Sequence, residues 1–508
     1  MKRARNGARR LLCLCLCLLM TTAGLAACSG KTNNPPDTAP PTDTTETAEP
    51  NVLDGVRFDR ETLNVMSWIP SNVVEYVKED SAQADNISHA VFLRNISAMD
   101  QLNISINWSE RAGNGENMDG FITAARNSHF SGGGVDVFCC YSCVAASLTT
   151  EGLLADIGSH RYMDFSKPFY STNLLEDMTV NGHLYFCTGD ISTNLAFMSS
   201  MVFFNKGLVA DYNIENRISK LYGEDTLYDL VLQNKWTMDV MFTLCEDVYL
   251  EMGDPESRAD DLYGFGTYNT LLDNFYYSTG NVVIEVKNGL FNLSDSFTNA
   301  DFMSTLLGKV EDFLYESGDA YYYSGFNAAR QAFSNGKNLF SLAPASHAYM
   351  AHYKAQGLKY GVLPVPMYDE SCGSYNSVHS MPYSIYGVSS NSNEKDIAGA
   401  YLQCLGEYSY EGSNSTRVVI FEQTMKGRYS NNVPDAAMWD LILASQKFDM
   451  GRVFSTMFGS TVNEQLTLYL FRKALTDGST DWSGVMATNR NILQKYADRI
   501  LTNLKKVD

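Results

Sequence analysis

Two stretches of this chain crowd aromatic rings together with amide, carboxylate and hydroxyl groups. Gly266 to Gly280 (GTYNTLLDNFYYSTG) carries Tyr268, Asn269, Asp273, Asn274, Tyr276 and Tyr277, and Tyr375 to Tyr386 (YNSVHSMPYSIY) carries Asn376, His379 and Tyr383. Such rings stack on the flat C–H faces of a polyhydroxylated ring, while the polar groups pair with its rim of hydroxyls. Tyr268, Asn274, Tyr276 and Tyr383 are the candidate contacts from these stretches. Any single tyrosine also has a plainer use as core packing, because rings this dense are often buried for their area alone. Tyr321-Tyr322-Tyr323 has the same two readings, a stacking surface or the cover of a lobe.

Bond-making chemistry finds no local signature. The strings G-x-S-x-G, H-E-x-x-H and Walker A are absent, and Gly336-Lys337-Asn338 lacks the upstream glycine spacing and the Ser/Thr of a phosphate loop. His347 and His352 stand five apart, off one helical face and without a nearby carboxylate, which argues against a metal. Cys140-x-x-Cys143 has no second pair close by and ends an apolar run, so it reads as buried free thiols. Beyond the leader, Cys139, Cys140, Cys143, Cys187, Cys245, Cys372 and Cys404 make seven, an odd number that disulfides cannot exhaust. A glycosidase needs only two carboxylates across a cleft, and 58 acidic residues leave such a pair open. No cofactor or metal is called for.

The elements that position these residues alternate in type. Thr62 to Trp68 (TLNVMSW) has a strand's period and ends in an aromatic, and Phe92, Ile96, Met99 and Leu102 recur at helical spacing. Ile104 to Trp108 reads as a strand, Phe121 to Arg126 as a helix, Gly132-Gly133-Gly134 as a break, and Val135 to Cys140 (VDVFCC) as a buried strand. This is the grammar of an α/β protein with a parallel sheet, in which ligands gather at the carboxyl ends of strands. Trp68 and Tyr141 fall just past two such ends and join the candidates, with packing as the alternative for each. Asp435 to Gln446 and Val485 to Leu504 show helical spacing near the C-terminus.

Composition restricts the partners. The formal charge is −20, and setting aside the cationic leader (Lys2, Arg3, Arg5, Arg9, Arg10) takes the rest to −25. So acidic a body argues against nucleic acid and against adhesion to anionic lipid. Behind those cations lies an apolar run of about ten residues, Leu11 to Met20, half the length needed to span a bilayer. Leu25-Ala26-Ala27-Cys28 follows and resembles the lipobox of bacterial lipoproteins. That resemblance implies an export signal over 1–27, lipidation of Cys28, and a mature chain anchored on the extracellular face of the cell membrane. Ser29 to Asn51, rich in Thr, Pro, Asp and Glu, reads as an extended tether, bounded as 28–55. About 450 residues remain, which suits two lobes better than one core.

From Thr62 to Leu504 the order of landmarks resembles the extracellular solute-binding lipoproteins of ABC importers, carbohydrate type. GGGVDVFCCYSCVAASLTTEGLLADI, Asn181-Gly182-His183-Leu184-Tyr185, MVFFNKG at Met201 to Gly207, Lys235-Trp236-Thr237, Ala332-Phe333 with Gly336-Lys337 and SLAPASHAY, and KYGVLPVP at Lys359 to Pro366 carry it. Cys187-Thr188-Gly189-Asp190 departs from the pattern where a proline usually follows the crossover tyrosine, and Gln233-Asn234 replaces another proline. The resemblance implies a two-lobed periplasmic-binding-protein-like fold with a cleft at the hinge. Lobe one would hold 56–186 and 382–430, and lobe two 187–381 and 431–508 with the C-terminal helices packed on it. It also raises two further candidates: Asp190, just past the crossover and otherwise a turn aspartate, and Ser346, otherwise a helix N-cap. The implied function is capture of a small polar solute, a sugar or oligosaccharide before peptides or polyamines. Delivery would be by a monomer to ABC permease subunits. A glycan-acting enzyme and a surface sensor with no transport partner remain the alternatives.

Overall fold

The computed structural model describes residues 51–69, 74–80, 85–132, 134–252, 257–287, 290–351, 353, 357–430, 432–458 and 467–504. Cys28, the leader and most of the tether fall outside the described residues, as does His352. The folded body begins at Asn51, where a turn buries Leu53.

Lobe one is built on β1 (Thr62–Ile69), which runs parallel to β2 (Ser105–Ala112) and β3 (Val137–Tyr141). Register is fixed by Thr62 opposite Ser105 and Val65 opposite Val137. β3 is buried along its whole length, as a central parallel strand covered on both faces must be. The helix Asn86–Leu102 makes the first crossover. Asp85 caps it by accepting from the amides of Ile87 and Ser88, and Asn103 closes it in the left-handed region at φ 55°. Its buried face is Ile87, Ala90, Val91, Arg94, Asn95, Ala98 and Leu102, which keeps Leu102 of the expected stripe and turns Phe92, Ile96 and Met99 to its margin. Arg94 explains the rotation: its guanidinium is buried and donates to the carbonyls of Glu75 at 2.5 Å and Ile191 at 3.0 Å.

Lobe two carries a five-stranded sheet of β4 (Ser200–Asn205), β5 (Tyr263–Tyr268), β8 (Ala320–Tyr323), β9 (Asn338–Pro344) and β10 (Tyr360–Leu363), in the order β10-β4-β9-β5-β8. β5 is parallel to β8 and β9, while β4 is antiparallel to its neighbours. Trp236 anchors this lobe: it is fully buried and its indole N–H donates to Pro364 O at 2.9 Å. Tyr321–Tyr323 form the edge strand β8, with Tyr323 bonded to Asn338. A hairpin of β6 (Ile284–Lys287) and β7 (Leu290–Leu293) sits under the last helix, Trp482–Leu504.

Three passages between the lobes come before the C-terminal part. The first passage, 187–199, leads into β4. The second leads through β11 (Ser377–Val378) to β12 (Ser384–Val388), which returns to lobe one as the antiparallel neighbour of β3. The third is a π-helix, Val418–Arg428, that joins the lobe-one helix Lys395–Tyr410 to the helix Val433–Ala444 lying on β10. Gln446, in β13 (Gln446–Lys447), ties the passages together: its amide donates to Ser200 O at 3.2 Å and Ser377 Oγ at 2.7 Å, and Ser200 N returns a bond at 3.3 Å. After it, Met450–Phe458 packs back on lobe one, where Thr456 Oγ1 donates to Cys143 O at 3.1 Å. Tyr185 of lobe one likewise donates to Leu504 O at 3.4 Å. The C-terminal part thus packs on lobe two, as with Trp482–Leu504 against β7, and touches lobe one as well.

Candidate functional site

The carboxyl ends of β1 and β3 bring Trp68 and Tyr141 together, with ring centres 5.3 Å apart. The Trp68 indole N–H donates to Ser384 Oγ at 2.9 Å, which ties β1 to the start of β12. Tyr383 stands beside them: its carbonyl accepts from Ser142 N at 3.0 Å, and Ser142 Oγ donates to Met381 O. Trp68, Tyr141 and Tyr383 are all buried, and burial pushes the hydroxyls of both tyrosines up. Three of the sequence candidates therefore share one apolar corner of lobe one.

Across the seam lies a charge cluster. Asp273, 1% exposed, accepts from Arg452 Nη1, and Arg472 Nη1 reaches both its carboxylate oxygens, at 2.6 and 2.8 Å. Arg452 also donates to His379 O at 3.0 Å, so it holds the second passage to lobe two. Thr270, Asp273, Met381, Arg452, Ser455 and Tyr469 lie around a cavity of about 20 Å³. That is room for about one water.

Tyr268 ends β5, and the pair Ser346-His347 follows the carboxyl end of β9. Tyr268 stacks on His347 at 5.9 Å and 5°, with Phe326 edge-on to the same imidazole at 4.6 Å. His347 is fully buried, neither ring nitrogen has a partner among the described residues, and burial pulls its pKa down to about 3. The Ser346 hydroxyl has no partner either, so it does not serve as an N-cap. Asn274 and Tyr276 are placed away from these groups, in the helix Asp273–Tyr277. Asn274 Oδ1 accepts from Val378 N at 3.1 Å, and the Tyr276 hydroxyl donates to Val282 O at 2.8 Å. Both work as internal braces in these contacts.

Asp190 stands apart, in the wall of a cavity of about 180 Å³ whose lining includes Phe169, Ser192, His379, Arg417 and Phe448 but not Trp68, Tyr141, Tyr268, Ser346 or Tyr383. The cavity leaves 31% of the Asp190 side chain open, while the surrounding protein desolvates the carboxyl and raises it to about 7, Arg417 opposing. Gly189 beside it has φ +142°, and a Cβ there would collide with Phe169 O, so only glycine fits this approach.

Sequence reading missed Glu75, Arg452 and Arg472. Glu75 is buried and accepts from Tyr386 Oη at 2.8 Å, Ser192 Oγ at 3.1 Å and Thr193 N at 3.0 Å, fastening the first passage to lobe one. Arg452 and Arg472 meet Asp273 from 179 and 199 residues away, a separation no local pattern reveals. The seven cysteines are free thiols, six of them buried, and burial raises Cys140 and takes Cys143 up to about 11, which removes the reactive thiolate a redox pair needs.

No family model matches the chain, and no curated protein matches it. Solved structures do. One is a cyclo/maltodextrin-binding protein complexed with maltotetraose, 15% identical over 89% of this chain and 98% of that one, TM-score 0.50. Another is the GacH receptor of Streptomyces glaucescens GLA.O, solved unliganded and with acarbose, 14% identical over 89% of this chain and 99% of that one, TM-score 0.50. At such identities the likeness speaks to fold. The described body is an α/β protein with the two-lobed fold of the carbohydrate-binding solute receptors that its sequence landmarks resemble.

Proposed function

We propose that this chain is a lipid-anchored solute receptor that captures a sugar or oligosaccharide between its lobes and delivers it to an ABC importer. The observation that carries the reading is the seam itself. Strand ends of lobe one supply Trp68 and Tyr141, the second passage supplies Tyr383, the segment after β13 supplies Arg452, and lobe two supplies Asp273, Arg472 and Tyr469. Aromatic rings near fixed hydrogen-bonding groups are the pairing a saccharide uses. The two structural neighbours were solved with maltotetraose and with acarbose, which agrees with a glycan between the lobes. A solute held between the lobes favours whichever closed form it contacts best. Asp273, the one carboxylate lining the small cavity among the described residues, is engaged by two arginines and is poorly placed to transfer a proton. That favours a binder over a glycan-acting enzyme.

Thermal unfolding of the purified chain with mono- and oligosaccharides tests the reading, with peptides and polyamines as comparison. A ligand at a hundredfold its Kd adds about 2.7 kcal/mol of stability. A melt shifted by one saccharide class, with the saccharide recovered unchanged, is the expected result. A shift from peptides or polyamines alone would sink the carbohydrate assignment, and consumption of the saccharide would replace receptor by enzyme. For the anchor, labelled palmitate should enter the wild-type chain and not Cys28→Ala; equal labelling of both removes the lipid from the account. Co-purification with permease subunits separates transport from sensing.

A further inference from the structure

The three inter-lobe passages frame the cavity that holds Asp190, with Phe169 as lobe-one wall and Phe448 as lobe-two wall. Its hydroxyls and amides are largely engaged already. Ser192 Oγ donates to Glu75 and Asn194, Thr193 Oγ1 to Val74 O, Thr416 Oγ1 to Ser409 O, and Asn173 Nδ2 to Gln446 O. Three polar groups are left over. The Asp190 carboxyl has no hydrogen bond among the described residues, and its nearest cation is Arg417 Nε at 3.6 Å. The Arg417 guanidinium otherwise only overlies the Tyr410 ring, at 4.9 Å. His379 lines the same space, is buried, and has an unpartnered Nδ1. The π-helix begins at the residue after Arg417 and turns Ile420 and Phe421 into the cavity. Such helices are rare and recur at functional sites.

Asp190, Arg417 and the His379 ring are the polar groups that this wall leaves over. What it offers is one anion and one cation, loosely paired, among aromatic rings. An apolar cavity of about 150 Å³ takes a benzene molecule. One of about 180 Å³ therefore admits a compact molecule with a short branched chain or small ring and charged ends. We propose that this cavity is a second binding site, for a small zwitterion of the α-amino-acid class: ammonium on Asp190, carboxylate on Arg417, and apolar side chain against Phe169, Phe421 and Phe448. The ammonium and carboxylate slot between the two side chains and replace a weak half-exposed ion pair with two charge-assisted hydrogen bonds.

Calorimetric titration of the full chain tests it, using L-alanine, L-valine, L-leucine, L-methionine and L-phenylalanine, with isopentylamine and 4-methylpentanoate as single-charge analogues of leucine. One or more of the amino acids should bind one to one, and each analogue should bind at least about tenfold more weakly than leucine, since each forfeits a charge-assisted bond. Asp190→Asn and Arg417→Gln should each weaken amino-acid binding by about tenfold or more while leaving the melting temperature of the free chain within about 1 °C. The analogue series reads out on the wild-type chain, so it decides even where a variant folds poorly. Absence of binding by all five amino acids, an analogue as tight as leucine, or binding indifferent to both substitutions overturns the proposal.

Discussion

Replacing Asp273 by Asn is the most searching perturbation of the seam. Asp273 is 1% exposed and is the shared acceptor for Arg452 and Arg472, whose side chains are 7% and 14% exposed. Asparagine keeps the shape and one acceptor oxygen but leaves two cations facing each other with no anion between them. Removing one partner of a buried ion pair costs about 3–5 kcal/mol, and the retained acceptor places this change near the lower end. A body of roughly 460 residues unfolds with about 1 kcal/mol/K of entropy at about 2.1 cal/mol/K per residue. The melting temperature should therefore fall by about 3 °C, and by more if the lobes melt separately. Scanning calorimetry measures it. The companion is the double variant Asp273→Asn/Arg452→Met, in which one of the two stranded cations is also gone. Its loss should fall short of the sum of the single losses by at least about 1 kcal/mol, because the two side chains touch. A shift under about 1 °C for Asp273→Asn, or strict additivity in the cycle, refutes the view that this carboxylate holds the cluster.

Four further outcomes are expected. Trp68→Phe removes the indole bond to Ser384 while keeping a ring near Tyr141, so urea unfolding should show a loss of about 1–2 kcal/mol, and no loss would mean the bond contributes nothing. His347 is held neutral by burial, with its pKa drawn from 6.5 to about 3. The unfolded chain binds the extra proton, so this term favours folding fully above pH 6.5 and is lost as pH falls toward 3. His347→Phe should accordingly lose less melting temperature than wild type between pH 7 and 5, and parallel curves would contradict the assignment. Asp177 behaves oppositely: burial, with Asp449 nearby, raises it from 3.8 to about 7, so its contribution favours folding at low pH and fades as pH climbs between those values. Asp177→Asn should flatten that part of the stability curve, and an unchanged slope would exclude it. Of the seven body cysteines only Cys372 is partly exposed, so a thiol reagent should modify Cys372 alone in the native chain; rapid reaction at Cys140 or Cys143 would show that the buried strand end opens.

The strands were readable where burial is simple. The runs Thr62 to Trp68 and Val135 to Cys140 read as strands, and the structure places β1 and β3 on them. The face of the first helix was not readable, because a buried arginine occupies it and hydrophobic spacing cannot register a cation whose partners are backbone carbonyls of other segments. The site shows the same division. Trp68 and Tyr141 stood out because strand ends are local features, and the structure adds Tyr383 to their corner. Asn274 and Tyr276 share a dense segment with Asp273 but turn inward to brace Val378 and Val282, a distinction that depends on helix phase. The seam charges came from three distant stretches and gave no signal until the fold assembled them.

The return of β12 to lobe one has a consequence for how the chain is made. Tyr141 pairs with Ser384, and Val137 with Val388, so the fourth strand of that sheet arrives long after the other three. The strands of lobe two lie uninterrupted between Ser200 and Leu363. Contacts of such sequence separation form late, since loop closure precedes any reward from pairing. Lobe two can therefore assemble while lobe one is still three strands with a bare flank. That flank is Val137–Tyr141, an apolar strand offering a row of unsatisfied amides and carbonyls, the kind of edge that recruits other chains. Chains stopped or clipped between residues 206 and 384 should thus be the aggregating species, and the arrival of Ser384–Val388 is the step that makes the protein safe to accumulate.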